Sequence, residues 1–385
     1  MMKYGPLDLL IVQGSPFCNI NCKYCYLPER NNTSKISLDT ISKLFERIVE
    51  SKLLSSEFTI VWHAGEPLAL PLKYYKEIFK KIDDLVPSKI GVNHSFQTNG
   101  ILINDEWCDF IKENKIRIGI SVDGPEFVHD KYRLKRNGTG THKEVMRGIG
   151  FLKKHKIDFH AIAVITNYSL DFSNEIFSFF LDNEIKRVGF NIEEIEGINL
   201  ESSLNKSEES SNKLRNFWMN ILFLQKKFKG KIIIRELESA FAKIVGDPSL
   251  ILNSFFLSPP VSHLLVPYGI INVDTNGDFS TFSPELLGQK SEEYNDFIIG
   301  NVWDNSFEEA LGLKTFKDLK DDIAAGVNLC KKECNYFNLC GGGAPSNKYY
   351  ENGGFKSTET LYCKNTIQIP IDVILENIEE FYHNK

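Results

Sequence analysis

Short apolar runs alternate with amphipathic runs along the first half of the chain. Residues 8–13, Asp-Leu-Leu-Ile-Val-Gln, form a short apolar segment suited to a buried strand. Ile41, Leu44, Phe45, Ile48 and Val49 then recur at helical spacing behind Ser37, a residue type that caps helices. A strand is expected at 58–63. Tyr75, Ile78, Phe79 and Ile82 give one apolar face to a helix over 74–86. Strands at 91–97, 116–122, 159–165 and 187–192 alternate with helices at 104–114, 142–155 and 172–181. Repeated strand–helix alternation predicts a parallel sheet, because a parallel connection needs a crossover long enough to hold a helix. Six such units fall short of the eight that close a complete barrel. The expected fold class is α/β, a partial (β/α)6 TIM-like barrel; a doubly wound sheet is the structural alternative.

The pattern changes near residue 197. A polar stretch rich in Ser, Glu and Asn is followed by helical segments around 212–229 and 236–245. From about 260 the chain becomes loop-rich, and Asp274-Thr275-Asn276-Gly277-Asp278 is a strong turn signal. The expected division is a barrel over 1–197, a helical bridge over 198–259 and a small C-terminal domain over 260–385. Length allows a large core: 385 residues, 42% hydrophobic and 25% charged. A net charge of −6 argues against a broad basic surface for nucleic acid. No apolar run reaches the roughly 18 residues of a membrane span. The first residues lack the long apolar region of a signal peptide, so a cytoplasmic protein is expected.

Cysteine placement adds chemistry. Of eight cysteines, Cys18, Cys22 and Cys25 lie within one short loop, and Cys330, Cys334, Cys340 and Cys363 lie near the other end. In an intracellular chain such clusters point to metal more than to disulfides. A closed four-iron cluster uses four thiolates, so three leave one iron open to a ligand and four form a complete set. A structural zinc ion is the plainer reading of either group. Cys108, beside Trp107 on a helical segment, is expected to be a core thiol.

The spacing C-x3-C-x2-C with Tyr24 before the last Cys resembles radical S-adenosylmethionine (SAM) enzymes. The resemblance extends along nearly the whole chain. Trp62-His63-Ala64-Gly65-Glu66-Pro67 resembles the Gly-Gly-Glu-Pro motif, with Ala64 for the first Gly, a small addition in volume. Gln97-Thr98-Asn99-Gly100 and Ser121-Val122-Asp123-Gly124 end the third and fourth strands; His129, Asp130 and Arg133 follow. The resemblance implies a SAM site built from Tyr24, Gly65, Glu66, Gln97, Asn99, Ser121, Asp123 and Arg133, beside a [4Fe-4S] cluster on Cys18, Cys22 and Cys25. Cys330, Cys334, Cys340 and Cys363 resemble a SPASM domain, which implies one auxiliary [4Fe-4S] cluster. The first spacing is x3 where x2 is typical. Ala344 stands where a further Cys is usual, and no Cys occurs near 279–283.

Gly-Gly-Gly-Ala-Pro-Ser-Asn-Lys after Cys340, with Ser283-Pro284-Glu285-Leu286 and Gly300-Asn301-Val302, resembles the cyclophane-forming GRRM-type maturases. That branch implies hydrogen abstraction from a ribosomally made precursor peptide and a carbon–carbon crosslink to an aromatic side chain. The electron donor would be a flavodoxin or ferredoxin. Glu285 is the expected proton acceptor, with Asp123 and Glu193 as competitors. Thioether formation, epimerisation and sulfatase formylglycine maturation are the alternatives within the chemistry. A non-catalytic iron–sulfur or zinc protein that binds peptide is the alternative outside it.

Overall fold

The computed structural model describes residues 4–247 and 262–378. The expected end of the helical bridge, at 259, falls outside them. Six parallel strands open the chain: β1 (Leu9–Val12), β2 (Glu57–Trp62), β3 (Gly91–Thr98), β4 (Arg117–Ser121), β5 (Phe159–Ile165) and β6 (Arg187–Ile192). They lie side by side in chain order. A doubly wound sheet would reverse direction partway, so this order selects the partial barrel. Helices α1 (Leu38–Glu50), α2 (Leu72–Leu85), α3 (Asp105–Glu113), α4 (Glu126–Tyr132), α5 (His142–Lys154) and α6 (Ser173–Asp182) fill the connections. Ser37 caps α1 by accepting the Thr40 N–H at 2.9 Å, and Asn104 caps α3 by accepting the Trp107 N–H at 2.9 Å.

The second half continues the same sheet. After α7 (Glu208–Lys227), the two-residue β7 (Ile233–Ile234) pairs with β6, and α8 (Arg235–Val245) packs beneath it. β8 (Ile270–Val273) pairs parallel with β1, which places Leu10 between Ile60 and Ile271. β9 (Asp278–Thr281) and β10 (Gly300–Asn301) complete ten strands, ordered β10-β9-β8-β1-β2-β3-β4-β5-β6-β7. The loop-rich stretch expected from 260 thus begins with sheet. The turn signal was sound: Asp274 Oδ1 accepts the N–H groups of Asn276 (2.8 Å) and Asp278 (2.9 Å) and shapes the β8–β9 hairpin. Helices α9 (Phe307–Ala310), α10 (Lys314–Glu333), α11 (Phe337–Cys340), α12 (Pro345–Asn352) and α13 (Ile369–Glu376) follow, and α13 returns to pack on α7 and α8. Among the described residues, no helix is long and apolar enough to cross a membrane.

The core fixes the site from below. Trp62, Tyr75, Phe79, Phe96 and Trp107 pack ring to ring, with Tyr75 and Phe96 centroids 4.9 Å apart and Trp62 and Tyr75 5.2 Å apart. Burying each aromatic contributes about 1.5–3 kcal/mol. Tyr75 also donates its hydroxyl to the Pro67 carbonyl at 2.9 Å, so this core holds the turn after β2. Cys108 is fully buried within the same core, as expected.

Candidate metal and cofactor sites

Cys18, Cys22 and Cys25 occupy the loop between β1 and α1. The loop is pinned by its backbone. The Cys18 N–H donates to Arg30 O (3.1 Å), the Asn21 N–H to Leu134 O (2.7 Å) and the Lys23 N–H to Tyr132 O (2.9 Å). Arg30 donates to Cys22 O and Arg136 to Cys18 O, both at 3.1 Å. The Cys18 thiol is pushed up to about 12, mainly by burial and by the Glu66 carboxylate, and the Cys22 thiol up to about 11, mainly by burial and against the pull of Arg133. Thiols so placed ionise only against a cationic centre, which is what a coordinating metal supplies.

The expected SAM residues gather around this loop, at the carboxyl ends of β2, β3 and β4. Gly65 has φ 144°, and a Cβ there would sit 2.1 Å from the Ser15 carbonyl oxygen. Its bareness lets the turn after β2 close onto the start of the cysteine loop, where the Glu66 N–H donates to Phe17 O at 2.8 Å. Ala64 has φ 64°. Its cost is conformational rather than steric, about 1–2 kcal/mol for a residue with a Cβ. Glu66 is buried, and its carboxylate accepts from Thr98 Oγ1 (2.6 Å), Asn99 N (2.8 Å) and Leu68 N (2.9 Å). Burial nevertheless pushes it up to about 7, against those three bonds. It ties the end of β3 to the turn after β2, with one acceptor direction left of about four. Asn99 Nδ2 donates to Asn19 Oδ1 at 2.7 Å and lies 3.9 Å from Cys18 Sγ. Gln97 donates to Ser121 Oγ at 3.0 Å across Gly119, where a Cβ would strike the Gln97 amide at 2.1 Å.

Asp123 is buried and already engaged. It accepts from Tyr24 OH (2.5 Å), Arg133 Nε (3.0 Å) and Val164 N (3.0 Å), and its own N–H donates to His129 Nδ1 (3.3 Å). Arg133 in turn points Nη1 at Cys22 Sγ, 3.8 Å away. These contacts make Asp123 a positioning residue for Arg133 and Tyr24 and weigh against it as a general base. Glu193 is committed too: it accepts from the Ser203 N–H at 2.8 Å and from the Ser203 hydroxyl.

The second cysteine set, Cys330, Cys334, Cys340 and Cys363, lines a small void partly open to solvent. Cys330 ends a helical turn of α10, Cys340 ends α11, and Cys363 opens a π-helical turn, Cys363–Gln368. Pro370, lacking an N–H, stands just after that widened turn. Gly341, Gly342 and Gly343 all have positive φ, and a Cβ on Gly343 would lie 3.3 Å from Cys363 Sγ. The glycines leave the space beside that sulfur clear. Thr360 Oγ1 donates to Cys363 Sγ at 3.1 Å, and Lys348 Nζ donates to Cys330 Sγ at 3.2 Å. Among the described residues, no three His, Cys, Asp or Glu side chains close on a single-ion site. Four thiols around an open void fit a cage larger than one ion.

Between the two sets lie carboxylates that sequence reasoning mostly missed. Glu194 accepts from Asn347 Nδ2 at 2.9 Å and Glu196 from Ser346 Oγ at 2.7 Å. Glu285 approaches the same region, and burial pushes its carboxyl up. Glu194 and Glu196 are also raised by burial and by the charge of the neighbouring carboxylates. Tyr26, next to Cys25, feels Glu285, Glu196 and Glu194; Tyr362, next to Cys363, feels Glu194, then Cys340 and Cys363, and Glu285. Glu194, Glu285 and Tyr26 keep partial accessibility despite lying deep, as residues lining an internal recess do. Ser346, Asn347 and Lys348 are consecutive on α12, so one buried helical turn touches both the carboxylates and the C-terminal thiols.

Residues 12–194 match the radical SAM superfamily. The chain belongs to that superfamily and is a radical SAM enzyme; its cofactors are S-adenosylmethionine and [4Fe-4S] clusters. It is 42% identical over 383 residues to an uncharacterised protein of Synechocystis sp., covering 98% of this chain and 93% of that one. It is 25% identical over 387 residues to the serine-type anaerobic sulfatase-maturating enzyme of Bacteroides thetaiotaomicron, covering 94% of this chain and 88% of that enzyme. Its fold superposes on a native anaerobic sulfatase-maturating enzyme with bound S-adenosylmethionine at TM-score 0.78 and 20% identity, over 99% of this chain and 100% of the other.

Proposed function

We propose that the protein is a radical SAM peptide maturase that removes hydrogen from a β-carbon of a precursor peptide and joins that carbon to an aromatic side chain. The carrying observation is the arrangement of three thiols, a group of raised carboxylates and four further thiols, with α12 joining the carboxylates to the second thiol set. Cys18, Cys22 and Cys25 would hold the SAM-binding cluster, and Cys330, Cys334, Cys340 and Cys363 the auxiliary one. When bound, S-adenosylmethionine and its cluster supply a 5′-deoxyadenosyl radical able to take hydrogen from an unactivated carbon. Arg133, Asn99 and Glu66 orient that end of the site.

Closing the carbon–carbon bond leaves the ring with one electron and one proton to lose. Glu285 takes the proton: among the described residues its carboxylate has no side-chain partner, and burial makes it a stronger base than a surface carboxylate. A cluster held by Cys330, Cys334, Cys340 and Cys363 would supply the one-electron acceptor. A flavodoxin or ferredoxin would reduce the first cluster for the next turnover.

Formylglycine formation on a sulfatase is the second reading, favoured by the end-to-end likeness to a sulfatase-maturating enzyme. Against it stands the lack of a Cys-Asp pair near Phe282-Ser283, where both side chains are buried. The deciding experiment gives reduced, cluster-loaded protein SAM and the peptide encoded beside its gene. Loss of a hydrogen pair with a new intrapeptide crosslink supports the crosslinking reading. A hydrazide-reactive aldehyde supports the sulfatase reading. An unchanged mass with an inverted residue marks epimerisation and overturns both.

A further inference from the structure

Lys348 is 3% exposed. Taking an ammonium out of water costs several kcal/mol unless an anion or strong acceptor meets it. Among the described residues Lys348 makes no ion pair with a carboxylate; the group its ammonium meets is Cys330 Sγ at 3.2 Å. Lys348 reaches Cys330 from a neighbouring space lined by Ile323, Val327, Pro345 and Phe355. The other charges near the four thiols are Glu359, beside Cys334, and Lys243 of α8, which faces Cys340. Backbone geometry holds Lys348 in place. Pro345 starts α12, the Ser346 N–H donates to Ser283 Oγ at 3.2 Å, and Ser346 Oγ and Asn347 Nδ2 are anchored on Glu196 and Glu194. These bonds fix the helical turn from which the buried lysine extends to Cys330.

We propose that Lys348 is a positioning residue that sets the reduction potential of the auxiliary cluster, holding it high enough to accept the electron released when the substrate ring regains aromaticity. This rests on the reading of Cys330, Cys334, Cys340 and Cys363 as the ligands of that cluster. A reduced cluster carries one more negative charge than the oxidised one. A fixed, buried cation hydrogen-bonded to a ligand sulfur favours the reduced form, and the low local dielectric strengthens that preference. The balance is simple: one electron passes from the ring radical to the oxidised cluster, and one proton passes from the same ring carbon to Glu285.

The test uses the full chain carrying Cys18→Ala, Cys22→Ala and Cys25→Ala, so that one cluster site remains, loaded with iron and sulfide under anaerobic conditions. Its midpoint potential is read by spectroscopically monitored redox titration, with Lys348→Met, Lys348→Gln and Lys348→Arg alongside. The expected result is a more negative potential in the Met and Gln variants and a potential near the parent in the Arg variant. Equal potentials in all four proteins would overturn the inference while leaving the cluster assignment standing. A parent that binds no iron–sulfur cluster would overturn the assignment and the inference together. Should the Met and Gln variants fail to load, electron–nuclear double resonance on the reduced parent decides. An exchangeable proton coupled to the cluster, lost in deuterated buffer and retained when Thr360→Val removes the hydroxyl donor to Cys363, supports the lysine contact, and its absence rules the contact out.

Discussion

At the N-terminal loop a buried cation, Arg133, lies 3.8 Å from Cys22 Sγ, but Asp123 pairs with it at 3.0 Å. At the C-terminal set a buried cation, Lys348, lies 3.2 Å from Cys330 Sγ and has no paired carboxylate among the described residues. Arg133 also lies over the Tyr24 ring, its guanidinium carbon 5.4 Å from the centroid. Lys348 is a point charge on a flexible stem, held by the helix that carries it. The ligand atoms are alike and the electrostatic settings are not. A compensated cation would leave the charge of a cluster on the first set nearly as its thiolates set it, which suits a centre that must give up an electron. An uncompensated cation would lower the effective negative charge of a cluster on the second set, which suits the accepting role proposed for it. The carboxylate recess lies between them, where substrate chemistry would begin at one site and end at the other.

The sharpest way to break this contrast is to remove one ligand from each site. Cys22→Ala is expected to abolish both 5′-deoxyadenosine and crosslinked product. Cys340→Ala is expected to keep deoxyadenosine formation and lose product. Chromatography and mass spectrometry on the same reaction read both, and equal loss in the two variants would erase the division of labour.

Glu285→Gln is expected to lower product formation by about 10²–10⁴-fold, the usual contribution of a positioned base, while deoxyadenosine persists. The sign of the pH dependence follows from burial. The carboxyl of Glu285 is raised, and only its ionised form accepts a proton, so crosslinking should rise with pH through a limb above the ordinary carboxylate value of about 4.3. Glu285→Gln should remove that limb. A profile unchanged by the substitution would move the base elsewhere in the recess, to Glu194 or Glu196.

Asp123→Asn tests the compensation itself. Leaving Arg133 buried and unpaired should cost about 3–5 kcal/mol of stability, measured by urea unfolding before cluster loading. A cost below about 1 kcal/mol would mean that the pair is not buried as described. Ser37→Ala, remote from both sites, should cost about 1 kcal/mol through loss of the α1 cap and leave turnover per folded molecule unchanged. A change in turnover there would show that global stability, not site chemistry, governs the larger effects.

The barrel strands were legible because short runs rich in Val, Ile, Phe and Ala alternate with helical patterns, and 159–165 and 187–192 have the predicted bounds. The place of β8 beside β1 was not, since Ile-Ile-Asn-Val carries no record of a partner some 260 positions away. Cysteine spacing exposed both thiol sets. The recess stayed hidden for a physical reason: Glu194 and Glu196 follow a strand in a polar stretch, where carboxylates are normally solvated. Glu193 looked equivalent, but its carboxylate is tied to Ser203 while that of Glu194 meets Asn347. Lys348 closed the glycine-rich motif in plain view. Nothing local distinguishes a buried lysine from an exposed one; Lys348 is covered by distant residues such as Ile323 and Val327, and its partner Cys330 precedes it by 18 positions.

The most direct measurement is quantification of 5′-deoxyadenosine from anaerobic, iron-loaded, fully reduced protein given S-adenosylmethionine and its peptide. Formation well above that of the Cys22→Ala protein is the predicted result. Equal, background yields from the two proteins would contradict the assignment of Cys18, Cys22 and Cys25 as the site of S-adenosylmethionine cleavage.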